Sequence, residues 1–235
     1  MIPKNFRTLC LSLLLLLSSV LWVSAQSDPP LQPIIAIADD TASAVAWSPD
    51  GMQLAVGNAE GITIYTRDLQ FIRFMEQRSD QMKTLQWKPD GRYIAAYGAN
   101  DRFPNEPDES WGTTIYIWNA ENGTLVTTFD SYTMFVPGLT WSPDGSQIAT
   151  GGWDEIIHIW DPLTGEIKFI LDAPQDPDNR SNIVESLSWS SQRKLAATIN
   201  FGLFVWDDFT LPPRELLDYR RRSRPSLVEW SPDAK

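Results

Sequence analysis

A chain of 235 residues, 43% apolar and with eleven tryptophans, can bury a core of its own, so wholesale disorder is excluded. Its formal charge of −11 argues against nucleic acid and anionic membrane surfaces as partners. One cysteine and one histidine leave the common nucleophile–base pairs without members, and no Gly-rich phosphate loop follows a strand, so the sequence points away from an enzyme.

The first element is a leader. Lys4 and Arg7 precede a mostly apolar run from Leu9 to Val23, and small residues Ser24 and Ala25 stand before Gln26. That layout predicts a secretory signal peptide over residues 1–25, cleaved after Ala25. Left uncleaved, the same run would be a membrane anchor, although it is short for a bilayer core. Cys10 lies at the start of the apolar run rather than at its end, which does not fit a lipoprotein. Cleavage removes this cysteine and rules out disulfide staples in the mature chain. The expected location is therefore secreted or periplasmic, with no membrane contact after cleavage.

Residues 26–42 follow as an N-terminal segment holding one candidate strand, "PIIAIA" over 33–38. From residue 43 onward the chain repeats itself. "WSPDG" starts at Trp47, "WKPDG" at Trp87, "WSPDG" at Trp141, "WSSQR" at Trp189 and "WSPDA" at Trp230. The starts are separated by roughly 40 to 54 residues, a period that decides architecture before any local detail does. Each start ends a run of near-alternating apolar residues ("SAVAW", "KTLQW", "GLTW"), the signature of a half-buried strand. Pro then presets φ for a turn, and Gly accepts the positive φ that closes it. A strand of small residues follows ("LAVGN", "IAAYG", "IATGG", "LAATI"), then a third ("ITIY", "IYIWN", "IHIWD", "LFVWD"). Hairpin signals Asn122-Gly123 and Thr164-Gly165 lead into a fourth strand in the second and third units. Helical periodicity appears nowhere outside the leader.

Four short antiparallel strands per unit, opened by "WSPDG" and closed on "IWD…TG", resemble the WD-repeat β-propeller family, in a bacterial exported form. The resemblance runs from about residue 31 to the end and is fullest over 137–171. It implies an all-β propeller with an incomplete ring. Blades are expected at about 43–75, 82–129, 137–171 and 184–219, with the first strand of a fifth at 226–231 and strand 33–38 completing the last blade. The motif tryptophans are expected to pack in the core between blades. The Gly-His pair of the family is absent, and the sole histidine, His158, falls inside a strand. The family's His–Ser–Asp–Trp network cannot then be complete, and only Asp154 occupies its Asp position. Blade cohesion is expected to rest mainly on apolar packing. The chain reads either as a truncated frame or as a short form that completes itself by assembly through its open edges.

No catalytic residue, metal or cofactor is assigned. Asp172, Asp176, Asp178 and Asn179 offer oxygen ligands suited in kind to Ca²⁺, but the Gly and distal Glu of an EF-hand are missing, and a solvated loop is the plainer reading. The long loops, 99–112, 172–182 and 220–226, should emerge together on one disc face, with only the tight "SPDG" and "TG" turns opposite. Loops held by a rigid scaffold are where binding residues concentrate. Asp101, Arg102, Phe103, Glu106, Asp108, Glu109 and Trp111, with Arg220, Arg221, Arg222 and Arg224, are the candidate residues for docking a protein or peptide. The arginines could instead pair with Asp172–Asp178. The expected function is a non-catalytic binding scaffold. The alternatives are a propeller fragment of a larger secreted enzyme or sensor, and a gene remnant without independent function.

Overall fold

The computed structural model describes residues 42–76, 81–99, 113–131, 136–175, 181–200, 202–218 and 226–231. All lie in the compact unit Asp39–Lys235. The expected leader over 1–25 and the candidate strand over 33–38 lie outside the described residues. Among the described residues there is no helix, and hence none long and apolar enough to cross a membrane.

Among the described residues, sixteen strands form four sheets. Blade 1 holds β1 (Ala44–Trp47), β2 (Gln53–Gly57), β3 (Gly61–Thr66) and β4 (Phe71–Glu76). Blade 2 holds β5 (Gln81–Trp87), β6 (Tyr93–Ala99), β7 (Thr113–Asn119) and β8 (Leu125–Ser131). Blade 3 holds β9 (Gly138–Trp141), β10 (Ile148–Gly151), β11 (Ile156–Trp160) and β12 (Ile167–Asp172). Blade 4 holds β13 (Val184–Trp189), β14 (Leu195–Ile199), β15 (Gly202–Trp206) and β16 (Arg214–Asp218). In each sheet the strands pair antiparallel in chain order, as short turns between neighbours require. The inner strands β1, β5, β9 and β13 lie side by side, and residues 226–231 continue the row beside β13.

The repeated turn is built as its letters demand. Gly51 N donates to the Ser48 carbonyl at 2.8 Å with φ at 68°, and Ser48 Oγ and Met52 N both donate to Asp50 Oδ1. Ser142 and Asp144 repeat this arrangement around Gly145. In the worn fourth copy, Arg193 takes the left-handed position that glycine holds elsewhere (φ 64°), a conformation costing an L-residue roughly 1–2 kcal/mol. Its guanidinium reaches back across the blade boundary to Asp144 Oδ2 at 2.8 Å.

Asp144 therefore carries a testable pH signature. The Ser146 amide, the Ser142 and Ser146 hydroxyls and the Arg193 charge hold its carboxyl down to about 2. A carboxyl lowered in the folded state contributes stability above its unfolded value, and that stability is lost as pH falls through the folded one. The melting temperature should thus drop between about pH 4 and pH 2, and Asp144→Asn should make that drop shallower. Thermal melts of both proteins at half-unit pH steps check this.

The core is not one cluster but three, each lying between neighbouring blades. Ala55, Ile62, Ile64 and Met75 of blade 1 meet Leu85, Trp87, Ile94 and Trp118 of blade 2. Tyr97, Ile115, Ile117 and Phe129 of blade 2 meet Leu139, Trp141, Ile148 and Trp160 of blade 3. Ile157, Ile159 and Leu171 of blade 3 meet Leu187, Trp189, Leu195 and Trp206 of blade 4. In blades 2, 3 and 4, the face bearing the motif tryptophan looks back at the preceding blade.

Apolar packing is joined by a directional contact that the sequence did not announce. Trp87 Nε1 donates to the Ala46 carbonyl at 3.0 Å, Trp141 Nε1 to Gln86 at 3.3 Å, and Trp230 Nε1 to Ser188 at 3.1 Å. In each case the acceptor is the residue just before the preceding tryptophan of the series. Trp189 is the exception: its buried Nε1 has no acceptor among the described residues.

Two expectations need correction. Trp47 is not core, being 51% exposed, because no blade stands behind it among the described residues. The face opposite the long loops is also not limited to tight turns. Residues 207–213 form an extended connection between β15 and β16, and its Phe209 packs edge-on against Trp189 and Phe169.

Candidate partner-binding face

Antiparallel order puts the β2–β3, β6–β7, β10–β11 and β14–β15 connections at the same end of the blades as the links between blades. Blade 3 shows the two kinds of loop meeting. Glu155, between β10 and β11, accepts from Asn182 N at 2.9 Å, Asn182 Nδ2 at 3.2 Å and Ser181 Oγ at 3.1 Å, in the link to β13. Asn200 Nδ2 donates to the Ser181 carbonyl from the β14–β15 turn. The Asn182 amide and its neighbours hold the Glu155 carboxyl below the usual glutamate range. Glu155 sits at φ 66°, so it accepts backbone strain in the place where it makes this clamp.

Trp153 stands beside the clamp, 48% exposed, on the same turn. Beneath it, Trp160 Nε1 donates to Thr150 Oγ1 at 2.8 Å, and the His158 ring lies 5.3 Å from that of Trp160. Thr150 and Trp160 thus tie β10 to β11 through their side chains. Burial raises the Asp154 carboxyl, and its Oδ2 has no partner. Burial also lowers the His158 imidazole, although Asp154 opposes the shift. The arrangement anchors a loop. It contains no aligned nucleophile and base.

Along the inner strands, Thr84, Gln86, Thr140, Ser186, Ser188 and Glu229 help line a cavity of about 280 Å³. The serines are already engaged: Val228 N donates to Ser186 Oγ and Trp230 N to Ser188 Oγ, both at 3.2 Å. Hydroxyls here replace the main-chain ladder in holding residues 226–231.

The docking candidates Asp101, Arg102, Phe103, Glu106, Asp108, Glu109, Trp111, Arg220, Arg221, Arg222 and Arg224 all lie outside the described residues, as do Asp176, Asp178 and Asn179. Among the described residues, no group of three or more His, Cys, Asp or Glu side chains is placed to hold a metal ion. Sequence reasoning passed over Trp153 and Glu155. The signal was there, since "WDE" stands where blade 1 has "NAE" in the same turn.

Four four-stranded antiparallel sheets, set face to face along a row of inner strands, are the blades of a β-propeller. Residues 123–161 match the WD40 family model, described as WD domain, G-beta repeat. That stretch runs from the turn before β8 through the first three strands of blade 3. The chain is 28% identical over 200 residues to the WD repeat-containing protein slp1 of Schizosaccharomyces pombe, covering 82% of this chain and 37% of that one. It is 30% identical over 112 residues to the small ribosomal subunit protein RACK1y of Oryza sativa subsp. japonica, covering 47% and 31%. Against the human echinoderm microtubule-associated protein-like 2, the identity is 24% over 195 residues, covering 80% and 26%. The solved WD40 repeats of RRP9 superpose with a TM-score of 0.62 at 15% identity, over 76% of this chain and 52% of that one. U3-55K gives 0.61 at the same identity. The chain spans between 26% and 37% of the length of these relatives and about half that of the solved propellers.

Proposed function

We propose that this chain is an exported, non-catalytic binding scaffold whose long-loop face receives a protein or peptide partner. The observation that carries the reading is Trp153: a half-exposed aromatic on a turn that Glu155 ties to the neighbouring blade. Aromatic anchors on a preorganised support dominate binding energy, because little side-chain freedom is lost on contact. Three similar proteins carry names that place them with larger assemblies: a small ribosomal subunit, a microtubule-associated protein and an anaphase-promoting complex subunit. Export rests on the apolar run from Leu9 to Val23 and the small residues after it.

Random peptides displayed on phage can be selected on the purified chain and the enriched sequences measured by calorimetry. Micromolar binding is expected, weakened about tenfold or more by Trp153→Ala and unchanged by Met52→Ala on the opposite face. Trp111→Ala and substitution of Arg220–Arg224 map how far the surface extends. Failure to enrich any peptide, or binding indifferent to every loop-face substitution, would sink the reading.

A further inference from the structure

The two ends of the blades differ in charge. The described residues hold nine lysines and arginines, and eight of them stand in the half that bears the "WSPDG" turns. Lys83, near the start of β5, is the exception. Five ion pairs lie in that same half: Lys88 with Asp90, Lys168 with Glu166, Arg193 with Asp144, and Asp207 with both Lys194 and Arg214. Carboxylates there meet cations of the chain's own. The loop-facing half repeats an acid instead. Strands β4, β12 and β16 end on Glu76, Asp172 and Asp218, and Asp130 stands one residue from the end of β8. Register makes the four equivalent, since they pair with Gly61, Ile156, Gly202 and Thr114 at the start of the third strand of each blade. The intervening segments do not offset this series. Residues 77–80, 100–112, 176–180 and 219–225 together carry seven arginines and seven carboxylates.

In blade 3 the series meets the exposed aromatic. Asp172 is exposed, has no ion pair among the described residues, and pairs with Ile156, three residues on from Trp153. Glu155 stands between them, its carbonyl accepting from Ala173 N at 2.9 Å. The Glu155 carboxylate is held by neutral donors, the Asn182 amide and side chain and the Ser181 hydroxyl, so its charge is kept rather than cancelled. Two uncompensated carboxylates beside a half-exposed indole attract a cation twice over, through charge-assisted hydrogen bonds and through the ring face. They repel an acidic partner by the same charge.

We infer that the partner of this face is a basic peptide segment, one of whose lysine or arginine side chains seats at Trp153 beside Glu155 and Asp172. This rests on the loop-face reading above and adds the chemistry of the occupant. Charge complementarity selects it: an unpaired acidic end steers basic segments inward, while the opposite end, with its cations already paired, does not.

The test uses the full chain and a fluorescent dodecapeptide repeating Gly-Ser-Lys, beside versions with every lysine replaced by glutamine or by glutamate. Anisotropy is read at about 50 and about 300 mM salt. The lysine peptide should bind about tenfold or more tighter than the glutamine peptide and lose about tenfold in the higher salt. The glutamate peptide should not bind. Glu155→Gln, which keeps an oxygen acceptor for the clamp, and Asp172→Asn should each weaken the lysine peptide about threefold, whereas Glu121→Gln at the opposite end should change nothing. Absence of any preference for the lysine peptide overturns the inference. Equal weakening by Glu121→Gln does so too, as attraction to net charge alone. A lysine peptide that binds only after Arg220, Arg221, Arg222 and Arg224 are changed to serine also overturns it, because the chain's own cations then hold the face. Peptides selected from the random library that need Trp153 yet carry no excess of lysine or arginine overturn the basic partner and leave the loop-face reading standing. A library from which nothing is enriched takes both down.

Discussion

Trp141→Ala should cost about 3–5 kcal/mol, the range for emptying a large buried aromatic site. Trp141 is only 5% exposed, fills the core between blades 2 and 3, and donates to the Gln86 carbonyl. In a nearest-neighbour array, stability is close to a sum of units and interfaces, so deleting one interface uncouples the two sides. Calorimetry should therefore show one transition in the wild type and two in the variant, the first lowered by about 10 °C on the usual scaling for a domain of this size. Trp141→Phe separates packing from the directional contact. It keeps most of the ring and loses the hydrogen bond, at a cost of about 1 kcal/mol. Equal losses in both variants would mean that the bond, rather than the burial, joins these blades.

Glu155→Ala should cost about 2 kcal/mol, less than its contacts would sum to, because the carboxylate is partly wet. The substitution leaves the Asn182 amide and side chain without their acceptor, although Asn182 is buried. The backbone strain at φ 66° does not enter the difference, because glutamate and alanine both carry a Cβ. Glu155→Gln keeps one oxygen acceptor and should lose about half as much. Hydrogen exchange at Asn182 and Val184 should accelerate in the alanine variant while that of β11 stays slow. The carboxyl is lowered in the fold, so its contribution is present above the ordinary glutamate range and fades as pH falls through the folded value. Accordingly, the gap between wild type and Glu155→Gln should narrow in acid.

The blades were legible because their turns are spelled in residues with few alternatives. Pro49, Asp50 and Gly51 each answer a backbone demand, and the same demand met by Arg193 is why the worn copy still turns. The inter-blade hydrogen bonds were not legible, since their acceptors are main-chain carbonyls and any residue supplies one. The fate of Trp47 was hidden for another reason. Its five-letter context is identical to that of Trp141, and only the neighbour behind it differs. In the candidate face, loop length drew attention to 99–112, 172–182 and 220–226, whereas Trp153 sits in a short turn and escaped a search for long ones.

Where a joint is made by a carbonyl, that bond does not fix which side chain the residue supplying it must carry. In the three such joints that residue is Ala46, Gln86 and Ser188: small, amide and hydroxyl in turn. The position that fastens one blade to the next can therefore drift in chemistry without loosening the fastening. Since Gln86 and Ser188 also line the cavity along the inner strands, its lining can be retuned copy by copy while the joints stay as they are.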